Sequence, residues 1–189
     1  MIKATAKRRN GIVAALAGRR IDAKDAKVAQ FPLANVPIVK LALAELLRKE
    51  HVSLLICSAA CGADLLALDA ALDANIRCRV VLPFDPKRFR QTSVIDRPGD
   101  WGILYERVIR VVKSEGYLIV LSGDTSDELS YHRANEVIVQ QALTASKTAP
   151  LAILVWEGQP RHKDDATAAF RSLALRAGML ERAVPTLCG

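Results

Sequence analysis

The stretch Leu54-Leu55-Ile56-Cys57-Ser58-Ala59-Ala60-Cys61-Gly62-Ala63-Asp64-Leu65 decides the fold. An apolar run of strand length passes into small residues and then directly into a helix-like segment over Asp64–Ala74. Small side chains let an anion approach the backbone. The first helical N–H groups point at it, and the helix dipole favours negative charge. Gly62 suits a strained turn angle, and Asp64 suits the start of a helix. The string is neither G-x-G-x-x-G nor a Walker A loop, because no Gly-Lys-Ser/Thr follows. Two readings fit its spacing equally. One is a phosphate-binding strand–turn–helix with Ser58, Ala59, Ala60, Gly62, Ala63 and Asp64 around the anion. The other is a tight packing turn that binds nothing.

The same alternation extends in both directions. Apolar runs predict strands at Ile12–Ala17, Ser53–Cys57, Arg79–Leu82, Leu118–Leu121 and Leu151–Trp156, with a short sixth through Ala183–Leu187. Helical spacing predicts helices over Pro37–Glu50, Gly102–Ser114, Leu129–Ala145 and Asp165–Ala177, the last closed by Gly178. The strands are apolar throughout rather than alternating, the pattern of a parallel sheet covered on both faces. Strand–helix alternation along the chain predicts an α/β fold: a single Rossmann-like three-layer domain with a mostly parallel sheet of about five to six strands. That domain is expected over residues 11–189, behind a basic arm at residues 1–10. Two long connections, Arg19–Asn35 and Phe84–Trp101, leave the carboxyl ends of strands, where such folds bind ligands.

Composition narrows the function classes. The 189 residues are 51% apolar and 25% charged, which excludes intrinsic disorder. No apolar run approaches the roughly 18 residues of a membrane helix. The net charge is +7, but residues 1–27 carry eight basic and two acidic side chains and so hold +6 of it. The basicity is terminal, which makes nucleic acid an unlikely partner of the domain itself. Aromatics are only 5%, too few for a stacking platform. Cys57, Cys61, Cys78 and Cys188 lack C-x-x-C spacing, which points to reduced, partly buried thiols in a cytoplasmic protein. Lys7, Arg8 and Arg9 before Ile12–Ala17 imitate a signal peptide. A six-residue apolar run followed by Arg19-Arg20 is too short for one and reads as a buried strand. His51, His132 and His162 form no metal-ligand pattern with the cysteines, and no G-x-S-x-G nucleophile elbow occurs.

Four further elements can carry ligand chemistry. Gly18-Arg19-Arg20 places two guanidinium groups at the end of the first strand, suited to bidentate phosphate contact. Phe84-Asp85-Pro86-Lys87-Arg88-Phe89 opens a long segment that fits a lid over a base or ribose, and equally a short capped helix. Tyr131, Arg133 and Asn135, with Glu136 beside them, open a helix with polar groups for base or ribose. Trp156-Glu157-Gly158 ends the fifth strand, with Trp156 placed to stack on a base or to fill the core.

Together these motifs resemble the SLOG superfamily, the Rossmann-like group that joins the DNA-processing DprA/Smf proteins to the Lonely-Guy (LOG) proteins. Cys57-Ser58-Ala59-Ala60-Cys61-Gly62-Ala63-Asp64 looks like that group's G-x-x-x-G-A-D phosphate loop. Gly18-Arg19-Arg20 and Arg79-Val80-Val81-Leu82-Pro83-Phe84 look like its first-strand loop and third strand. Tyr131-His132-Arg133-Ala134-Asn135 and Leu154-Val155-Trp156-Glu157-Gly158 are similar to its last ligand-facing elements. The match runs from about Gly11 to Gly158 in the right order. The resemblance implies binding of a nucleotide or nucleotide-derived ligand, with no cofactor required, in a sensor module serving a separately encoded effector in stress or defence signalling. It also implies a homodimer paired through helices. Its alternative is LOG-type N-glycosidic hydrolysis, and its third reading is DprA-like DNA binding through the basic arm. LOG hydrolases carry P-G-G-x-G-T-x-x-E where this chain has Trp156-Glu157-Gly158-Gln159-Pro160. Their catalytic glutamate is therefore not carried over, and Glu136 and Glu157 are left as the carboxylate candidates.

Overall fold

The structure is a computed structural model that describes residues 11–123, 128–161 and 165–187. The basic arm and Cys188 lie outside the described residues. Six strands form one parallel sheet: β1 (Ile12–Gly18), β2 (Val52–Cys57), β3 (Arg77–Leu82), β4 (Leu118–Val120), β5 (Leu151–Val155) and β6 (Leu180–Val184). Their order across the sheet is β4-β3-β2-β1-β5-β6. Among the described residues six α-helices connect or follow them: α1 (Val36–Lys49), α2 (Ala63–Asp73), α3 (Pro86–Ser93), α4 (Trp101–Ser114), α5 (Glu128–Ala145) and α6 (Ala166–Arg176). The chain is a Rossmann-like α/β domain.

The continuous apolar strands have a direct cause in this layering. Side chains alternate across a strand, and here both faces are covered. Ala14, Leu16, Leu55, Cys57, Ile153 and Val155 pack with α1, α2 and α4 in one core layer, which includes Leu43, Leu65 and Tyr105. Their sequence neighbours Val13, Ala15, Leu54, Ile56, Ala152 and Leu154 pack with α5 and α6 in the other, which includes Ile138 and Phe170. Cys57, Cys61 and Cys78 are buried free thiols, and burial pushes the thiol of Cys78 up to about 12. The segment that imitates a signal peptide is the central strand β1, with Ala14, Ala15 and Leu16 fully buried. No helix among the described residues is long and apolar enough to cross a membrane.

One predicted element is displaced. The sixth strand runs over Leu180–Val184, not Ala183–Leu187. It pairs only with β5, so as an edge strand it carries Glu181 and Arg182 inside its span, and an apolar-run criterion slides past it. The segment after Phe84 forms α3. Asp85 caps it by accepting N–H bonds from Lys87 and Arg88, both at 3.0 Å, and Pro86 fills the first helical position.

The strand order sets the place of the site. The chain moves outward from β1 through β2, β3 and β4, then crosses back to place β5 on the other side of β1. The carboxyl ends of β1 and β5 therefore flank a topological switch point, where α5 and α6 diverge from α2 and leave a crevice.

Candidate functional site

A cavity of about 120 Å³ opens at that switch point. Leu16, Ala17 and Gly18 of β1 and Ser58, Ala60 and Asp64 of the β2–α2 turn form its inner wall. Ser93 of α3, Tyr131 and Asn135 of α5 and Thr167 of α6 complete it. A wider groove of about 530 Å³ adjoins it and shares Arg20, Tyr131, Arg161 and Ala166 with its rim. Asp22, Gln30, Arg97 and His132 extend the groove outward.

The turn from β2 into α2 is held against the chain leaving β1. Gly62 has φ 91° and ψ −125°, backbone angles that only glycine adopts at low cost. A Cβ there would lie 2.7 Å from the carbonyl oxygen of Arg19 and 2.9 Å from the nitrogen of Ile21. Gly18 is equally confined, because its Cβ would meet Ala63 at 2.5 Å and Val155 at 2.7 Å. These glycines serve close backbone packing within the fold. Gly62→Ala is expected to cost about 3 kcal/mol of unfolding free energy, from positive φ and backbone overlap together. A urea titration checks it, and a loss below about 1 kcal/mol would show that the turn relaxes freely.

Three N–H groups of the turn already have partners. Ala60 donates to the Asp64 carboxylate at 3.2 Å, Cys61 to the Ser93 carbonyl at 3.0 Å and Ala63 to the Arg19 carbonyl at 3.0 Å. Asp64 does not cap α2, whose cap position is Gly62. Its carboxylate turns back onto the turn instead, at the place expected for an external anion. Burial pushes its pKa up to about 7, against the opposing pull of the Ala60 N–H and the Arg20 charge.

The two arginines after β1 part company. Arg19 is buried. Its Nε and Nη2 donate to the two carboxylate oxygens of Glu157 at 2.7 Å each, Nη1 to Asp165 at 2.5 Å and Nη2 to the carbonyl of Gln159 at 2.6 Å. Its guanidinium carbon lies 5.5 Å from the centre of the Trp156 ring. Against the expectation of a ligand phosphate, four of its five donors tie β1 to the segment between β5 and α6. Glu157, one of the carboxylate candidates, is the partner of Arg19 in this clamp and is absent from the cavity lining. Asp165 also caps α6, accepting from Thr167 at 2.9 Å and Ala168 at 3.0 Å. Burial works to raise its pKa. The N–H groups of Arg161 and Ala168 and the Arg19 guanidinium outweigh that and hold it at about 2.

Arg20 points the other way, into the cavity mouth, where it pairs with Asp96. Arg97 Nε lies 3.6 Å from the same carboxylate, and Arg161 Nε donates to Asp165 at 3.2 Å. Each groove arginine is thus anchored by one carboxylate. A guanidinium has five donors, so each keeps donors for a ligand.

Of the other predicted residues, Gly18, Ser58, Ala60, Asp64, Tyr131 and Asn135 meet at the cavity. Ala59 and Ala63 are core residues behind it. Phe84 is also buried, 5.8 Å from the rings of Phe89 and Tyr131, and supports the wall from behind. Trp156 does not face a base, because it belongs to the core layer under α5 and α6. Arg133 and Glu136 are exposed on α5 and outside the cavity lining, and Gly158 is exposed beyond β5. Ser93 and Arg97 lie in the long segment after Phe84 that fits a lid, whereas Thr167 and Arg161 are lining residues that the sequence does not single out. Only Asp165, at the predicted start of a helix, gave any local signal for the α6 side of the site.

No family model matches the chain, and no curated protein sequence matches it. Among solved structures, it is similar to DNA processing protein A (DprA) from Streptococcus pneumoniae, with a TM-score of 0.54 and 17% sequence identity. The alignment covers 93% of this chain and 50% of that one, so the chain spans about half its length. The likeness is one of fold, and it supports the DprA-like Rossmann architecture that the SLOG-like motifs imply.

Proposed function

We propose that the chain binds a nucleotide or nucleotide-derived ligand across the cavity and its adjoining groove, as a sensor module. The observation that carries this reading is the continuity of a small, partly apolar cavity with a groove bearing Arg20, Arg97 and Arg161 at the switch point. Ring-sized apolar walls beside anchored guanidinium groups suit a ligand with one ring moiety and one anionic end. Crevices at this position are where open α/β sheets bind ligands.

Thermal shift against AMP, ADP-ribose, NAD and cyclic dinucleotides tests the reading. A ligand at about 100 times its Kd adds roughly 2.7 kcal/mol of stability. The shift is expected to shrink strongly in Arg20→Ala. No shift with any of these compounds would sink the proposal.

A second reading, hydrolysis of an N-glycosidic bond, draws support from Asp64, a buried carboxyl in the cavity that titrates near neutral pH. It replaces Glu136 and Glu157 as the carboxylate to test. Chromatography of the same mixtures separates the two: intact ligand favours sensing, and free base that disappears in Asp64→Asn favours hydrolysis.

A further inference from the structure

Resting on that reading, we infer that the inner cavity is a sugar subsite: ribose hydroxyls donate to Asp64 and Asn135, and the phosphate lies outside on Arg20, Arg97 and Arg161. This places the ligand the other way round from a phosphate seated on the β2–α2 turn.

The argument begins with what the cavity wall lacks. Asp64 is 7% exposed and Asn135 is 9% exposed, and both line the cavity. One Asp64 oxygen accepts the Ala60 N–H, and no other hydrogen bond reaches the carboxylate among the described residues. Asn135 donates its amide nitrogen to the Ala166 carbonyl at 3.0 Å. A carbonyl can only accept, so the amide orientation is fixed and the amide oxygen is left as an acceptor. The amide oxygen of Asn135 and the ionised carboxylate of Asp64 therefore offer acceptors to the cavity. The hydroxyls of Ser93 and Tyr131, 3.2 Å apart, are paired with each other. Those of Ser58 and Thr167 adapt to either role.

Above pH 7, where Asp64 is ionised, a phosphate dianion brings no donors and would set its charge beside the carboxylate. Sugar hydroxyls bring donors and no charge. Leu16, Phe89 and Ile138 supply apolar wall for the carbon face of a ring. At about 120 Å³ the cavity is well below the roughly 300–1,000 Å³ of a site that encloses a whole drug-sized ligand. It holds one moiety, and the rest must extend into the groove, where the arginines are. Asp96, shared by Arg20 and Arg97, orients both forks while leaving N–H groups for phosphate oxygens.

Calorimetric titration at pH 8, where Asp64 is ionised, with AMP and 2′-deoxyAMP, on the full chain and on Asp64→Asn and Arg97→Ala, tests the assignment. AMP is expected to bind at least tenfold more tightly than 2′-deoxyAMP. Asp64→Asn should collapse that ratio toward one, because the charge-assisted hydrogen bond is lost. Arg97→Ala should weaken both nucleotides by a similar factor and leave the ratio intact. Equal binding of AMP and 2′-deoxyAMP by the wild type overturns the sugar subsite alone. So does a ratio that survives Asp64→Asn. Failure of both nucleotides to bind any form overturns the nucleotide reading and this inference with it.

Discussion

Replacing Arg19 with Met is expected to lower the stability of the domain by about 3–5 kcal/mol, the largest loss predicted for any single substitution here. The cause is what stays behind. Arg19 neutralises Glu157 and Asp165 and takes the Gln159 carbonyl at distances of 2.5–2.7 Å. Met fills much of the space but leaves buried Asp165 with only the partly exposed Arg161 as countercharge. In a domain of this size the loss corresponds to a fall in Tm on the order of 10 °C. Arg19→Lys is expected to recover little, because a single ammonium cannot replace a planar fork spread over two carboxylates and a carbonyl. Pairing Arg19→Met with Asp165→Asn should recover part of the loss, since the amide oxygen still caps α6. The clamp also sets the acid limit. Asp165 titrates at about 2 in the fold against an ordinary 3.8. Its contribution is present above pH 4 and is lost as pH falls toward 2. A wild-type-like urea midpoint for Arg19→Met at pH 7 would show that the clamp contributes nothing net.

Asp64 has the opposite sign. Its carboxyl titrates at about 7 in the fold and at 3.8 when exposed to water. Between these values the unfolded chain has released the proton and the folded chain still holds it. Stability therefore falls as pH rises from 4 to 7, then levels off once both states are ionised. The full span is worth up to about 4 kcal/mol. Asp64→Asn keeps an oxygen for the Ala60 N–H and carries no charge. It is expected to be more stable than wild type by about 2–4 kcal/mol at pH 8, with the gap closing toward pH 4. Denaturant melts of both proteins across that range decide it. Parallel curves would mean that Asp64 ionises at its ordinary pKa. A residue whose removal stabilises the fold is one whose retention needs another reason, and a ligand that donates hydrogen bonds to it supplies one.

The way the sheet was legible and the site only half legible follows from range. β1, β2 and β5 are nearly unbroken apolar runs because helices cover both faces, and that cause is visible locally. β6 lies at an edge, mixes Glu181 and Arg182 into its span, and was displaced in the sequence reading. The strand–turn–helix at Ser58–Asp64 is a local motif, and its residues do reach the cavity. Arg19 and Arg20 could not be told apart, because consecutive residues leaving a strand diverge to opposite sides. One became a buried clamp and the other a rim residue. Arg161 and Thr167 join the site only through pairings between distant parts of the chain, and no local pattern announces them.

The central position of β1 has a consequence for how the chain is made. One of the two partners of β1, β5, follows it in the chain by well over a hundred residues; the clamp from Arg19 to Glu157 closes across 138 positions. Until Leu151–Val155 leaves the ribosome, a nascent sheet of β1 to β4 presents β1 as an open edge, apolar on both faces. An unpaired edge of that kind recruits other strands. Chains truncated before β5 are thus expected to aggregate, because β1 is left with β2 on one edge and nothing on the other.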